Sequence, residues 1–222
     1  MNMKLTALAV GGFLAMPLGA MSVSFASGKA KSSSKPVETK LQAKLLPAVG
    51  GIAADLEGKV KYKKKTSATK GTEEELEAKV ESPIPNASVG LDESNAADTT
   101  FLLKIFQGAT TTEKGSCIIL IKEIEFEYEQ GINLAGMEAK YAAKVKEKTP
   151  LSGSASVSKK VGTCQISVLI NNIPTVVEGV PEVAPGDSAS IYALTPTPGT
   201  TPLLSGTFQS GRHGDDHDDD DD

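Results

Sequence analysis

Tryptophan is absent from this sequence of 222 residues, and aromatic residues make up only 5% of it. The two histidines, His213 and His217, both stand near the C-terminus. Everything before them lacks an imidazole base, which excludes a Ser–His–Asp triad or a Cys–His pair there. The sequence also contains no HExxH, Walker A or GxGxxG motif. We therefore predict a protein that is not an enzyme.

Two weaker catalytic signals remain. Gly186-Asp187-Ser188 is reminiscent of a serine-hydrolase motif, but without a histidine partner we expect it to form a β-turn. Acidic residues are numerous, so a carboxylate-based hydrolase is the alternative to a non-enzymatic protein. Such enzymes usually hold a sugar with aromatic side chains, which are few here.

Long apolar runs are also scarce: the single one extends from Leu5 to about Ala20. Lys4 precedes it and Ser24-Phe25-Ala26 follows it, a pattern typical of a cleavable signal peptide over residues 1–26. A membrane anchor is the alternative, but the run is about 16 residues and a spanning helix needs ~20. We predict a protein that is secreted, periplasmic or extracellular, with no membrane span after signal removal.

Only two cysteines are present, Cys117 and Cys164. In an exported protein an even number of cysteines favours a disulfide, and two cysteines allow one intramolecular pairing. Two buried free thiols are the alternative. A metal site based on cysteine is not expected, because no second ligand stands near either residue in the sequence.

Charge is distributed unevenly along a chain whose net charge is −5. Residues 27–39 are rich in Lys and Ser and are typical of a flexible leader. Five more lysines are clustered at Lys59, Lys61, Lys63, Lys64 and Lys65. Only Tyr62 among them could stack on a base, so we expect no nucleic acid as a partner. We interpret the cluster as a solvated strand face, with attraction to an anionic polymer or to the acidic tail as the alternative.

Apolar and polar residues alternate with period two over much of the chain, which predicts half-buried antiparallel strands. The predicted strands lie at 41–45, 56–62, 76–80, 99–106, 117–129 and 203–208. Residues 133–148 are rich in helix formers but also alternate, and we favour a strand there.

The strand from Cys117 to Glu129 has the strongest pattern. One face is predicted to carry Ile118, Leu120, Ile124, Phe126 and Tyr128, and the other Glu123, Glu125, Glu127 and Glu129. Lys122 interrupts the apolar face. At ~3.3 Å per residue the strand would extend about 40 Å, so we expect a bend or bulge in its middle. The glutamates could form a cation site, but we expect an outer face that pairs with lysines of a neighbouring strand.

The chain also contains signs of an internal duplication. Residues 56–65 align with 151–160, and Ile84-Pro85 with a following glycine aligns with Ile173-Pro174. The sequence therefore predicts an all-β fold of two similar antiparallel modules, each sandwich-like or barrel-like, over residues 40–130 and 131–210.

Residues 211–222 form a tail that holds both histidines and seven aspartates, and we expect it to be disordered. Its candidate metal ligands are His213, Asp215, Asp216, His217, Asp218, Asp219 and Asp220. Carboxylates suit Ca²⁺ and imidazoles add a preference for Zn²⁺, so weak binding of either ion is expected. No cofactor is expected to be required.

Two functions remain at this point. The first is an exported structural or binding protein that contacts a protein or polymer of the envelope or matrix, or another copy of itself, with the acidic tail as an accessory. The alternative is a metal-handling protein that collects divalent cations through the His/Asp tail.

Overall fold

The computed structural model describes residues 35–48, 55–87, 89–129, 133–194 and 199–210, which form strands and no helix. The strands are β1 (Val37–Pro47), β2 (Glu57–Ser67), β3 (Gly71–Ile84), β4 (Phe101–Phe106), β5 (Glu113–Glu129), β6 (Asn133–Thr149), β7 (Ser156–Val161), β8 (Thr163–Ile170), β9 (Ile173–Glu178), β10 (Ser188–Ala193), β11 (Leu204–Thr207) and β12 (Gln209–Ser210). The predicted signal peptide and the tail lie outside the described residues. β1 begins at Val37, so the end of the predicted leader belongs to a strand.

Eight strands close into an antiparallel barrel in the order β1-β2-β3-β6-β5-β4-β10-β11, and β11 pairs with β1 to complete the ring. Four further strands attach to it: β7 pairs with β6, β8 with β5, β9 with β8, and β12 with β1. Barrel closure removes the free edges of a sheet. The predicted all-β class is confirmed, as is the strand predicted over 133–148.

The barrel contains strands from both of the modules that were predicted from the sequence. β1 to β5 come from the predicted first module, whereas β6, β10 and β11 come from the second. They are joined by the long pairing of β3 with β6, from Thr72 opposite Thr149 to Ile84 opposite Met137. The aligned segments also differ in position, because residues 57–65 belong to β2 in the ring and 156–160 to the additional strand β7. One barrel therefore replaces two modules, and the duplication itself stays a prediction.

Alternate side chains of the eight strands fill the barrel. Most are small or aliphatic, and the largest fully buried ones are Tyr62, Tyr141, Phe101, Leu45, Leu76, Leu103, Ile105, Ile119, Ile191 and Leu204. Leu91 and Phe208, which lie outside the eight strands, are also fully buried. The rings of Phe101 and Tyr141 meet edge to face with centroids 4.9 Å apart. Residues 85–87 and 89–100 cover the end at which β3 finishes, where the Tyr141 hydroxyl donates to the Ala96 carbonyl at 3.1 Å. Burial raises the pKa of Tyr141 to about 12.

β5 contains the predicted irregularity, since its register with β6 shifts between Ile121 and Glu123. The bulge reverses which side chains point inward. Before it the buried residues are Cys117 and Ile119, whereas Leu120 is exposed, so the predicted face was wrong in this half. After it Ile124 packs against the core opposite Ala139, and Phe126, opposite Met137, shares that side of the strand as predicted but is exposed.

The pairing of β5 with β6 begins only at Leu120, so the first half of β5 and the second half of β6 are separated. There β5 pairs with β8 and β6 with β7, so the β7–β8 turn lies in the fork between them. Gly162 occupies the turn with φ +67°. An added Cβ would lie 2.8 Å from the Ala143 Cβ and even closer to the Ile118 carbonyl oxygen. Only glycine fits this junction without strain.

Candidate functional site

A polar cluster closes the end of the barrel at which β2 finishes. The Tyr62 hydroxyl donates to Glu74 Oε1 at 2.5 Å, and Lys64 Nζ lies 3.2 Å from the same oxygen and 2.6 Å from Glu182 Oε1. Burial and the Glu74 carboxylate both raise the pKa of Tyr62. Burial alone would lower the pKa of Lys64, but the hydrogen bonds to Glu182 and Glu74 outweigh it and raise that pKa. The Tyr62 hydroxyl and the Lys64 ammonium are therefore both stabilised in their protonated forms.

This cluster corrects one prediction and suggests a structural role. Lys64 was expected on the solvated face, whereas it follows Val60 and Tyr62 on the inward side of β2. Its partner Glu182 belongs to residues 179–187, which extend across this end of the barrel. The Val180 amide of the same segment donates to Glu147 Oε2 at 2.9 Å. Each polar group is satisfied by a neighbour, which is what a cap on the barrel requires.

Asp187 holds the C-terminal end of the segment 179–187 in place. Its Oδ2 accepts hydrogen bonds from Lys114 Nζ and the Ala184 amide, both at 2.8 Å, and its Oδ1 accepts one from the Gly108 amide at 3.0 Å. Burial would raise the pKa of this carboxyl, but these three donors outweigh it and lower the pKa. The Asp187 amide also donates to the Ala184 carbonyl at 3.1 Å, which confirms the predicted β-turn.

The outer faces of β1, β2, β3 and β6 carry charged side chains in rows across the strands. In most rows opposite charges meet: Lys144 lies 3.2 Å from Glu75 and 3.1 Å from Glu77. On the neighbouring pair of strands, Lys140 of β6 lies 2.5 Å from Glu125 of β5. The predicted pairing of the β5 glutamates with lysines is confirmed at Glu125. The side chains of Glu127 and Glu129 lie outside the described ones.

One row breaks this pattern, and we call it the lysine row: Lys44 of β1, Lys59 of β2 and Lys79 of β3 stand directly opposite one another. Adjacent strands are ~4.8 Å apart, so the like charges are close. Lys79 has Glu77 at 3.7 Å, whereas within the described residues Lys44 and Lys59 have no carboxylate in ion-pair distance. Directly opposed like charges destabilise a sheet, by roughly 0.2–1 kcal/mol per pair.

More positive charge surrounds the lysine row. Lys61 and Lys63 follow Lys59 on the outer face of β2, and Lys40 stands directly opposite Lys63 on β1. Glu38 balances part of this group, since it lies 3.1 Å from Lys63 and 3.7 Å from Lys40. Sequence reasoning identified the β2 lysines but missed Lys44 and Lys79, because their position depends on the strand register.

A second unusual surface is the β8–β9 hairpin, which attaches to the barrel only at its base. Cys164 is paired with Cys117 of β5 there, in the predicted disulfide, and their Cα atoms are 4.0 Å apart. Beyond the base, four large apolar side chains are exposed: Leu169 (72%), Ile170 (49%), Ile173 (65%) and Val176 (62%). This hairpin is not among the strands predicted from the sequence, although Asn171-Asn172 between alternating apolar residues is a signal for a two-residue turn.

The candidate metal ligands of the tail all lie outside the described residues. Within the described ranges, no group of three or more His, Cys, Asp or Glu side chains could hold a metal ion. The structure therefore places the two confirmed cysteines at the hairpin base and leaves the His213 to Asp220 prediction untested.

The fold and these surfaces define a class: an antiparallel β-barrel with a filled interior, capped ends and a charged exterior. Comparisons with known proteins find no matching family, no similar curated protein and no similar solved structure. In the part of the chain that the structure describes, there is no helix with the length and hydrophobicity to cross a membrane.

Proposed function

We propose that this chain is an exported, non-enzymatic binding protein that attaches to an anionic polymer of the envelope or matrix. The observation that carries the proposal is the lysine row. Lys44, Lys59 and Lys79 repel one another, although glutamates occupy comparable positions in the neighbouring rows. A costly arrangement kept at the surface is typical of a functional site.

The surrounding geometry suits a polymer better than a small ligand. The row crosses three strands of an open sheet face, and Lys61, Lys63 and Lys40 extend the positive surface along β1 and β2. Exposed lysines attract a chain of anions at long range, and each added contact releases counterions. A flat surface of flexible lysines offers no enclosed pocket for one small anion.

Replacement of Lys59 by glutamate tests the proposal. The Lys59→Glu variant should bind a polyanion such as dextran sulfate about tenfold more weakly in low salt, because a central cation becomes an anion. The same change removes two like-charge pairs and creates two favourable ones. The free energy of unfolding should therefore rise by about 1 kcal/mol. Polyanion binding in a salt series and urea unfolding measure the two effects.

The matched control is Lys160→Glu, which makes the same charge change at an exposed position on β7. It should leave polyanion affinity nearly unchanged, since Lys160 is not part of the row. Equal weakening by both variants would show that net charge alone drives binding. That result would contradict a binding surface at the lysine row.

We infer that the acidic tail competes for this surface. Ser210, the last described residue, pairs with Leu41 of β1, beside Lys40. The following 12 residues hold seven aspartates and could extend about 40 Å, enough to reach all three strands of the row. A variant ending at Ser210 should bind dextran sulfate about tenfold more tightly in low salt, because a tethered competitor is lost. An unchanged affinity would exclude this competition.

The alternative function is cation capture by the tail, favoured by its two histidines and clustered aspartates. The same shortened variant tests it by calorimetric titration with Ca²⁺ and with Zn²⁺. Binding heat in the full chain that disappears in the variant would support metal handling. Equal heats in both proteins would exclude the tail as the metal site.

A further inference from the structure

We propose that the outer face of the β8–β9 hairpin is a contact surface for a second copy of this chain. The outer face is the side on which Gln165, Ser167 and Leu169 of β8 lie opposite Glu178, Val176 and Pro174 of β9. All six are exposed, whereas Ile166, Val168, Thr175 and Val177 on the other side are half-buried. The outer face therefore points away from the barrel.

Apolar groups dominate the distal part of this face. Leu169 of β8 and Val176 of β9 are 72% and 62% exposed. Pro174 lies directly opposite Leu169 and two residues before Val176. A surface cleft of about 300 Å³ continues the face towards the barrel, lined by Val176, Gln165 and Ser116 among others. The apolar face therefore projects beside a cleft, so the projecting side chains of a second copy have space to enter.

The charge of the hairpin favours a second copy over a charged partner. No charged residue occurs from Gln165 to Val177. Glu178, at the base, is already paired with Lys159 at 3.1 Å. Two identical faces without net charge can stack about a two-fold axis without repulsion, and the contact is then self-complementary. The adjoining cleft also contains Glu113, whose carboxylate lies 3.0 Å from Lys104, so this charge too is already paired.

Packing of faces is favoured over pairing of strand edges. Ile170 and Ile173 flank the two-residue turn and form a hydrogen-bonded pair, so the backbone of Pro174 points to the outer edge of β9. Proline has no N–H to donate there, which interrupts the addition of another strand. The outer edge of β9 has no partner strand among the described residues, and Pro174 explains how it is protected.

A lipid bilayer is the less favoured occupant. Asn171 and Asn172 form the tip of the hairpin, each with positive φ. Insertion would carry these two amide side chains deepest into the apolar phase, where they would lose their hydrogen bonds to water. Stacking of two outer faces leaves both amides in solvent.

The available area predicts a weak dimer. The exposed apolar side chains offer on the order of a few hundred Å² per copy, whereas a stable complex buries ~800 Å² per partner. The contact should therefore depend on protein concentration. The disulfide at the base strengthens it, because a hairpin held in place loses less conformational freedom on binding.

Analytical ultracentrifugation of the purified chain from about 1 µM to about 1 mM tests the proposal. The wild type should shift from monomer to dimer over this range. Leu169→Lys, which puts like charges at the contact, should remain monomeric throughout. Ile173→Lys is the matched control: it introduces the same charge on the same hairpin but on the other side, and should dimerise like the wild type. Circular dichroism checks that both variants are folded.

Three results would overturn the proposal. A wild type that stays monomeric to the highest concentration would exclude the dimer. Equal loss of dimer in Ile173→Lys and Leu169→Lys would place the contact at the tip and not on the outer face. Sedimentation of the wild type, but not of Leu169→Lys, with phosphatidylcholine vesicles, together with no dimer in solution, would assign the surface to lipid.

Discussion

Replacing both Cys117 and Cys164 by alanine is expected to lower the free energy of unfolding by about 4 kcal/mol. The two residues are 47 positions apart, and a cross-link over such a loop restricts the unfolded chain strongly. In the folded protein it joins barrel strand β5 to β8, which pairs with β5 over only a few residues, Gly115–Ile118. Urea unfolding of the oxidised wild type and of the double variant measures the difference.

The reduced wild type is the control for this prediction. It keeps both buried sulfur atoms and loses only the covalent bond, so it separates cross-linking from packing. It should unfold at nearly the same urea concentration as the double variant. Amide hydrogen exchange should also show faster opening of β8 and β9 than of β1 to β3, because their remaining attachment is short. Unchanged stability in both proteins would contradict the role of the disulfide.

Gly162→Ala is expected to lower the free energy of unfolding by about 3–4 kcal/mol. One part, about 1 kcal/mol, arises because an alanine is strained at φ +67°. The larger part arises because the new Cβ would overlap Ala143 and the Ile118 carbonyl oxygen in the fork between β5 and β6. These neighbours are backbone atoms or attached directly to it, so they cannot move away cheaply. Urea unfolding again measures the loss.

Gly90→Ala is the matched control, because Gly90 has the same φ of +67° but no neighbouring atom within 4 Å of an added Cβ. Gly90→Ala should lower the free energy of unfolding only by the cost of the positive φ, about 1 kcal/mol. Failure of Gly162→Ala to fold, beside a folded Gly90→Ala, would agree with the prediction. Equal losses in the two variants would show that the fork accommodates a methyl group.

The lysine row and the β8–β9 hairpin differ in how far the sequence could reveal them. The hairpin was accessible in principle, because Asn171-Asn172 and the flanking apolar residues are neighbours in the chain. The lysine row was not, because Lys44, Lys59 and Lys79 come from three separate strands. They meet only through the pairings of β1 with β2 and β2 with β3. A shift of one residue in either register would separate them.

The sequence by itself was enough to predict that the part of the chain described by the structure is built of strands, that β5 bends or bulges in its middle, and that Cys117 pairs with Cys164. These features follow from alternation along a single segment, or from a cysteine count that allows only one intramolecular pairing. Only the tertiary structure decided that the two predicted halves form one barrel, which residues of β5 face inward, and that Lys64 joins an internal cluster. Strand partners, register and the side to which a bulge turns the chain depend on residues distant in sequence. Local alternation carries no information about them, because any half-buried strand presents a similar pattern to any partner.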